Sequence, residues 1–96
     1  MNREDFFESL DADNPPEDFA PALKVLWHDA QEDWEAAHDI AQDMPDNLGS
    51  WLHGYLHLKE GDRWNAAYWY RQANQPFPES GITAEFDRLL EYLLNT

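Results

Sequence analysis

Two ten-residue segments of the chain, thirty residues apart, share one pattern of tryptophan and alanine. Residues 33–42 read DWEAAHDIAQ and residues 63–72 read RWNAAYWYRQ, so tryptophan, two alanines and glutamine recur at the same places. A repeat of this length is typical of stacked helical hairpins, in which each unit buries its apolar side against its neighbour. The small alanines fit this arrangement because they let two helices approach closely. The repeat therefore favours a hairpin-based helical fold.

Apolar residues recur at intervals of three and four along most of the chain, as on one face of a helix. This spacing predicts helices over 3–10, from about 17 or 21 to 30, over 34–44, 48–59 and 63–74, and from about 82 onward. Prolines and a Gly-Asp pair interrupt these stretches. No segment shows the period of two expected for a strand.

Residues suited to helix ends stand at most of these boundaries. Asn2, Asp46 or Asn47, and Asp62 are predicted N-caps, and either Ser80 or Thr83 is predicted to cap the last helix. Gly61 suits a left-handed C-terminal cap. We therefore predict one all-α domain over residues 1–96, made of antiparallel helical hairpins. It would contain about five helices, with short N-terminal and amphipathic C-terminal helices as caps.

Composition supports a packed domain and excludes several classes of site. The chain has 96 residues, and its aromatic fraction of 15%, with five tryptophans, provides large apolar side chains for a core. There is no cysteine, which excludes disulfides, thiolate metal sites and cysteine nucleophiles. Residues 1–5 lack the features of a signal peptide, and no apolar run approaches the roughly 20 residues of a membrane span. A cytoplasmic location is the expectation.

The formal net charge of −14 is concentrated in the first half of the chain. Residues 1–46 hold fourteen acidic and two basic residues, whereas residues 47–96 hold six acidic and four basic ones. Such a chain repels nucleic acid phosphates and anionic lipids, so we expect neither a nucleic acid nor a membrane as partner. The charge either serves solubility alone or favours a basic partner or a metal cation.

Residues 50–78 contain a spaced series of tryptophan, glycine, a Gly-Asp turn, alanine, tyrosine, alanine and proline. The members are Trp51, Gly54, Gly61, Asp62, Ala66, Tyr70, Ala73 and Pro78. This series resembles the tetratricopeptide repeat, although His53 and His57 stand where that family has leucine and tyrosine, and Trp51 lies one place late. Residues 52–62 and 65–71 are also similar to a group of uncharacterised bacterial proteins. The resemblance implies stacked hairpins, a bacterial origin and binding to other proteins.

Three residues of the predicted helix 48–59 and its end could carry chemistry together. His53, His57 and Glu60 have spacings of four and three, which place them on one helix face. Two imidazoles one turn apart can chelate zinc, nickel or copper, with Glu60 as a third ligand. If the preceding helix packs alongside, His38 would join them in a cluster that is either a metal site or a pH-responsive core. The alternative is half-buried histidines bonded to nearby acids or carbonyls, with His28 exposed or capping.

The helix from residue 63 carries more aromatic residues than a small core can bury. We predict that part of it forms a binding surface, and the alternative is ordinary core packing. Tryptophan, tyrosine and arginine are common interface anchors, and Arg71 could hold a partner's carboxylate. The candidate residues for partner or ligand binding, including those of the histidine cluster, are His38, His53, His57, Glu60, Asn65, Tyr68, Trp69 and Arg71.

No catalytic constellation is recognisable in the sequence. There is no supported Ser-His-Asp arrangement, no glycine-rich phosphate loop and no nucleotide fingerprint. The favoured hypothesis is a protein-interaction module or adaptor, binding a protein partner or itself, without a cofactor. The alternative is a metal- or small-ligand-binding protein, or an enzyme, that holds a divalent transition metal with His38, His53, His57 and Glu60.

Overall fold

The computed structural model describes all residues, 1–96, and contains six α-helices and no strand. The helices are α1 (Arg3–Ser9), α2 (Pro21–Ala30), α3 (Trp34–Gln42), α4 (Asn47–Lys59), α5 (Arg63–Gln72) and α6 (Ile82–Leu94). The all-helical prediction is confirmed, with boundaries that differ by a few residues, and the helices number six where about five were predicted. The longest helices have 13 residues, and none of the six is long and apolar enough to cross a membrane.

Two helical hairpins form the body of the molecule. Three-residue turns join α2 to α3 and α4 to α5, and these two pairs make the most extensive helix contacts. The hairpins meet where α3 packs on α4, so that α4 lies between α3 and α5. Helix α6 returns across α2 and α4, and α1 packs against α6. The histidine-bearing faces of α3 and α4 are thereby brought together.

The predicted N-caps of α1, α4 and α5 are confirmed, and that of α6 is not. The side chains of Asn2, Asp46 and Asp62 each accept a hydrogen bond from a backbone N–H of the first helical turn. The prediction for α6 was wrong, because its N-cap is Gly81 and no side chain caps it. Helix α6 begins at Ile82, so Thr83 already lies inside the first turn and Ser80 precedes the cap.

The turns of the two hairpins repeat at an interval of 29 residues rather than thirty. Asp33 and Asp62 are the N-caps of α3 and α5, and each follows a residue with positive φ, Glu32 at 63° and Gly61 at 92°. The sequence repeat is therefore one residue out of step with the structural repeat. As a result, Trp34 and Trp64, which are thirty residues apart and correspond in the sequence repeat, occupy different environments: Trp34 is half-buried and Trp64 is exposed.

Two buried carboxylates join the helices around α4. Asp29 of α2 accepts hydrogen bonds from the Tyr55 hydroxyl and from Lys59 Nζ, both at 2.7 Å. Glu85 of α6 accepts from Trp51 Nε1 at 2.8 Å and from the Tyr70 hydroxyl at 2.7 Å. Burial and the adjacent carboxylates raise the pKa of both tyrosines, so the hydroxyls remain protonated donors. Because these charges have several partners each, they specify which helix faces meet.

Helix α5 packs closely on α4 at Gly54. A Cβ atom added there would lie 2.7 Å from Cδ1 of Tyr70 and 3.2 Å from Cβ of Trp69. Tyr70 is buried and its hydroxyl is held by Glu85, so its ring has little room to move. The absence of a side chain at Gly54 therefore lets α5 place Trp69 against the histidines of α4.

We predict that Gly54→Ala lowers the free energy of unfolding by about 1–2 kcal/mol, because overpacking outweighs the better helix propensity of alanine. Urea denaturation at neutral pH measures the change. Ser50→Ala, in the same helix, is the control and should change stability by less than about 0.5 kcal/mol. Equal stability of Gly54→Ala and the wild type would contradict the close contact.

Candidate metal centre

Three histidines from two neighbouring helices form one cluster. His53 and His57 lie one turn apart on α4 and are each only 9% exposed, whereas His38 of α3 is half-buried. The ring centroids are separated by 4.6 Å for His38 and His53, 5.3 Å for His38 and His57, and 4.8 Å for His53 and His57. The structure thus brings together the three imidazoles that the sequence analysis placed on adjacent helices.

The ring nitrogens of the cluster face one another. Nε2 of His38 and Nε2 of His53 are 2.9 Å apart, a distance at which one donates a hydrogen bond to the other. One potential ligand nitrogen from each of the three histidines lies within 4.8 Å of the other two. A cation placed among these nitrogens would be approached by three donors at once.

Glu60 contacts the cluster through a hydrogen bond with His57. Its Oε2 lies 2.7 Å from Nδ1 of His57, so Nδ1–H donates to the carboxylate and Nε2 is the ring nitrogen left to bind a metal ion. Glu60 was predicted as a possible third metal ligand, and the alternative prediction was that the histidines bond to nearby acids. In the structure Glu60 bonds to His57. A carboxylate on the far nitrogen of a histidine is the usual outer partner of a metal-ligating imidazole, because it fixes the tautomer and the ring orientation.

Two tryptophans cover the faces of the imidazole rings. Trp34 stacks on His38 with centroids 4.6 Å apart, and its indole N–H donates to the carbonyl of Leu56 at 2.8 Å. Trp69 of α5 stacks on His53 at 4.1 Å with an interplanar angle of 12°. Trp69 was among the predicted site residues, whereas Trp34 was missed. The spacing of Trp34 and His38, four residues apart on one helix, would have indicated it.

Two imidazoles of the cluster, those of His53 and His38, have lowered pKa values. Burial, and then the charges of His38 and His57, lower the pKa of His53 to about 4. Burial and the nearby His57 also lower the pKa of His38, although Asp39 and Glu60 act in the opposite direction. His53 is therefore neutral at pH 7, which is the form of histidine that binds metal ions.

The other predicted residues lie outside the cluster. Asn65 is half-buried in the first turn of α5, Tyr68 is 43% exposed, and Arg71 is exposed and forms no salt bridge. His28 is half-buried against Trp27 and does not join the other three histidines. Trp64 was not among the predicted binding residues, but it is the most exposed large apolar residue at 86%.

Comparison with known proteins adds no assignment. No family model, no curated protein and no solved structure matches the chain.

The low pKa of His53 predicts acid sensitivity in chelator-treated protein. The residues that surround it are His38 from α3, His57 from its own helix and Trp69 from α5, with Glu60 beyond His57. Between its unfolded pKa of 6.5 and its folded value of about 4, only the unfolded chain binds the proton. The free energy of unfolding should therefore fall as the pH decreases through this window.

Urea denaturation at pH 7 and pH 5 measures this fall in the free energy of unfolding. Both pH values lie above the range in which most carboxylates titrate. The wild type should lose more stability between these two values than His53→Gln, which has no imidazole at this position. An equal loss in both proteins would show that His53 does not resist protonation.

Proposed function

We propose that the protein binds a divalent transition metal ion with His38, His53 and His57. The observation that carries this proposal is the meeting of three candidate donor nitrogens within 4.8 Å of one another. Zinc–nitrogen bonds of about 2.0–2.1 Å in a tetrahedron require donor nitrogens about 3.3 Å apart. Modest rotations of side chains already in place would therefore suffice, without movement of a helix.

The chemistry of the donors supports the proposal. Imidazole nitrogens suit zinc, copper and nickel, and the depressed pKa of His53 means that no proton has to be displaced from it at neutral pH. The bond from His57 to Glu60 supplies the outer carboxylate that commonly accompanies such ligands. If the histidines served only to stabilise the helix packing, the hydrogen bond between His38 and His53 would be sufficient. The third imidazole, converging on the same point, is what favours a metal ion.

A thermal melt of chelator-treated protein with added zinc tests this function. At a free metal concentration one hundred times Kd, binding to the folded state contributes about 2.7 kcal/mol. For a domain of this size the midpoint should rise by roughly 10–20 °C. The rise should disappear in His53→Ala/His57→Ala and persist in His28→Ala, which removes the histidine outside the cluster. A failure of zinc to raise the wild-type midpoint, or an equal rise in the double variant, would refute the proposal.

A second candidate function, protein interaction, is favoured by the exposed face of α5. Trp64 is 86% exposed and Tyr68, one turn later in the same helix, is 43% exposed, so two large aromatic side chains of α5 are accessible to solvent. Arg63 and Arg71 lie on the same helix, which contains no acidic residue in an otherwise acidic chain. Aromatic residues and arginine are the usual anchors of interfaces. The resemblance to tetratricopeptide repeats agrees with this role, including self-association.

The self-associating form of this candidate predicts that Trp64→Ser weakens a homo-oligomer without unfolding the domain. Sedimentation equilibrium over a range of concentrations would detect association of the wild type and its loss in the variant. Phe7→Ser, which alters an apolar residue of α1 that is 42% exposed, is the control. The free energy of unfolding of Trp64→Ser should change by less than about 0.5 kcal/mol. A monomeric wild type at every concentration would exclude self-association.

A further inference from the structure

We propose that the metal centre has one open coordination position and that this position binds small monoanions in exchange with water. The proposal rests on the proposed metal-binding function and specifies what kind of centre it is. Structural zinc sites are usually closed by four protein ligands, whereas sites with three protein ligands keep a position for water or substrate. The number of protein groups available as metal ligands therefore decides whether the site is closed or keeps an open position.

The chain offers three donors and no fourth at this place. The cluster of potential ligands consists of His38, His53 and His57 alone, and the chain has no cysteine. The carboxylate of Glu60, the C-cap residue of α4, is engaged with Nδ1 of His57 at 2.7 Å. Asp39 follows His38 directly in α3 and is exposed to solvent. A metal bound by the three imidazoles would therefore complete its coordination with a ligand from solution.

The surroundings restrict that ligand to a small molecule. The indoles of Trp34 and Trp69 cover ring faces of His38 and His53, and both indoles are only half-buried. His53 and His57 are almost completely covered, so the cluster meets solvent mainly at the half-buried His38. A ligand of a few atoms would therefore need the least displacement of the indoles that stack on His38 and His53.

The charge of the centre favours an anion. Three neutral imidazoles leave both positive charges of the metal uncompensated, and Glu60 offsets only one of them from the outer position. The net charge of −14 acts against anions at long range, but it is screened beyond about 8 Å at physiological ionic strength. The metal is therefore the dominant charge at the site. Water on such a metal ionises near neutral pH, so hydroxide competes with other anions as the pH rises.

Cobalt substitution with azide as the probe tests the open position. Co²⁺ bound by three imidazoles has visible absorption bands that respond to a change of ligand. We expect azide to shift these bands with saturation at one azide per metal and full reversal on dialysis. Above the pKa of the bound water, the apparent affinity for azide should fall about tenfold for each pH unit, because hydroxide occupies the same position.

Two variants separate the possible failures. If the wild type shows no cobalt bands, or if the same bands persist in His53→Ala, both the metal centre and the open position are overturned. Cobalt bands that azide leaves unchanged in the wild type would overturn the open position alone, since the metal would then be closed by the protein. In that case a response to azide in Glu60→Gln would identify Glu60 as the closing ligand. The proposal predicts instead that the wild type and Glu60→Gln both respond.

Discussion

Burial of α4 along nearly its whole length is the constraint on which the rest of the structure depends. Residues 51–58 are all buried, and α2, α3, α5 and α6 pack around this one helix. A helix covered on every side is normally apolar on every side. Helix α4 instead carries two histidines, a tyrosine and a tryptophan with polar atoms, and each of these atoms has to find a partner away from water.

The partners come from the surrounding helices. Trp51 bonds to Glu85 of α6, Tyr55 to Asp29 of α2, and His53 to His38 of α3, while His57 uses Glu60 at the end of its own helix. No buried side-chain polar atom lacks a hydrogen-bond partner. The polar contacts thus assign α6, α2 and α3 each to a particular residue of α4. The histidine cluster is one of several such contacts, and it is the only one in which three donors of metal-binding type converge.

Much of the fold and part of the site could be predicted from the sequence, because both depend on local periodicity. The helical spacing and the Pro, Gly and Asp residues located the helices, and the i, i+4 pair on α4 with His38 on the preceding helix indicated the cluster. The sequence left open whether Glu60 is a metal ligand or a hydrogen-bond partner of a histidine, because both roles fit the same spacing. The environments of Trp34 and Trp64 were also missed, since a one-residue offset between sequence repeat and structural repeat turns one inward and leaves the other in solvent.

The stacking of Trp34 on His38 and of Trp69 on His53 has an optical consequence. The excited state of an indole loses energy to a neighbouring imidazole to an extent that depends on whether the imidazole is neutral, protonated or bound to a metal. Two of the five tryptophans are in such contact with the histidine cluster, one from each side. The intrinsic fluorescence of the protein therefore carries information about the chemical state of the cluster, without any added dye or label.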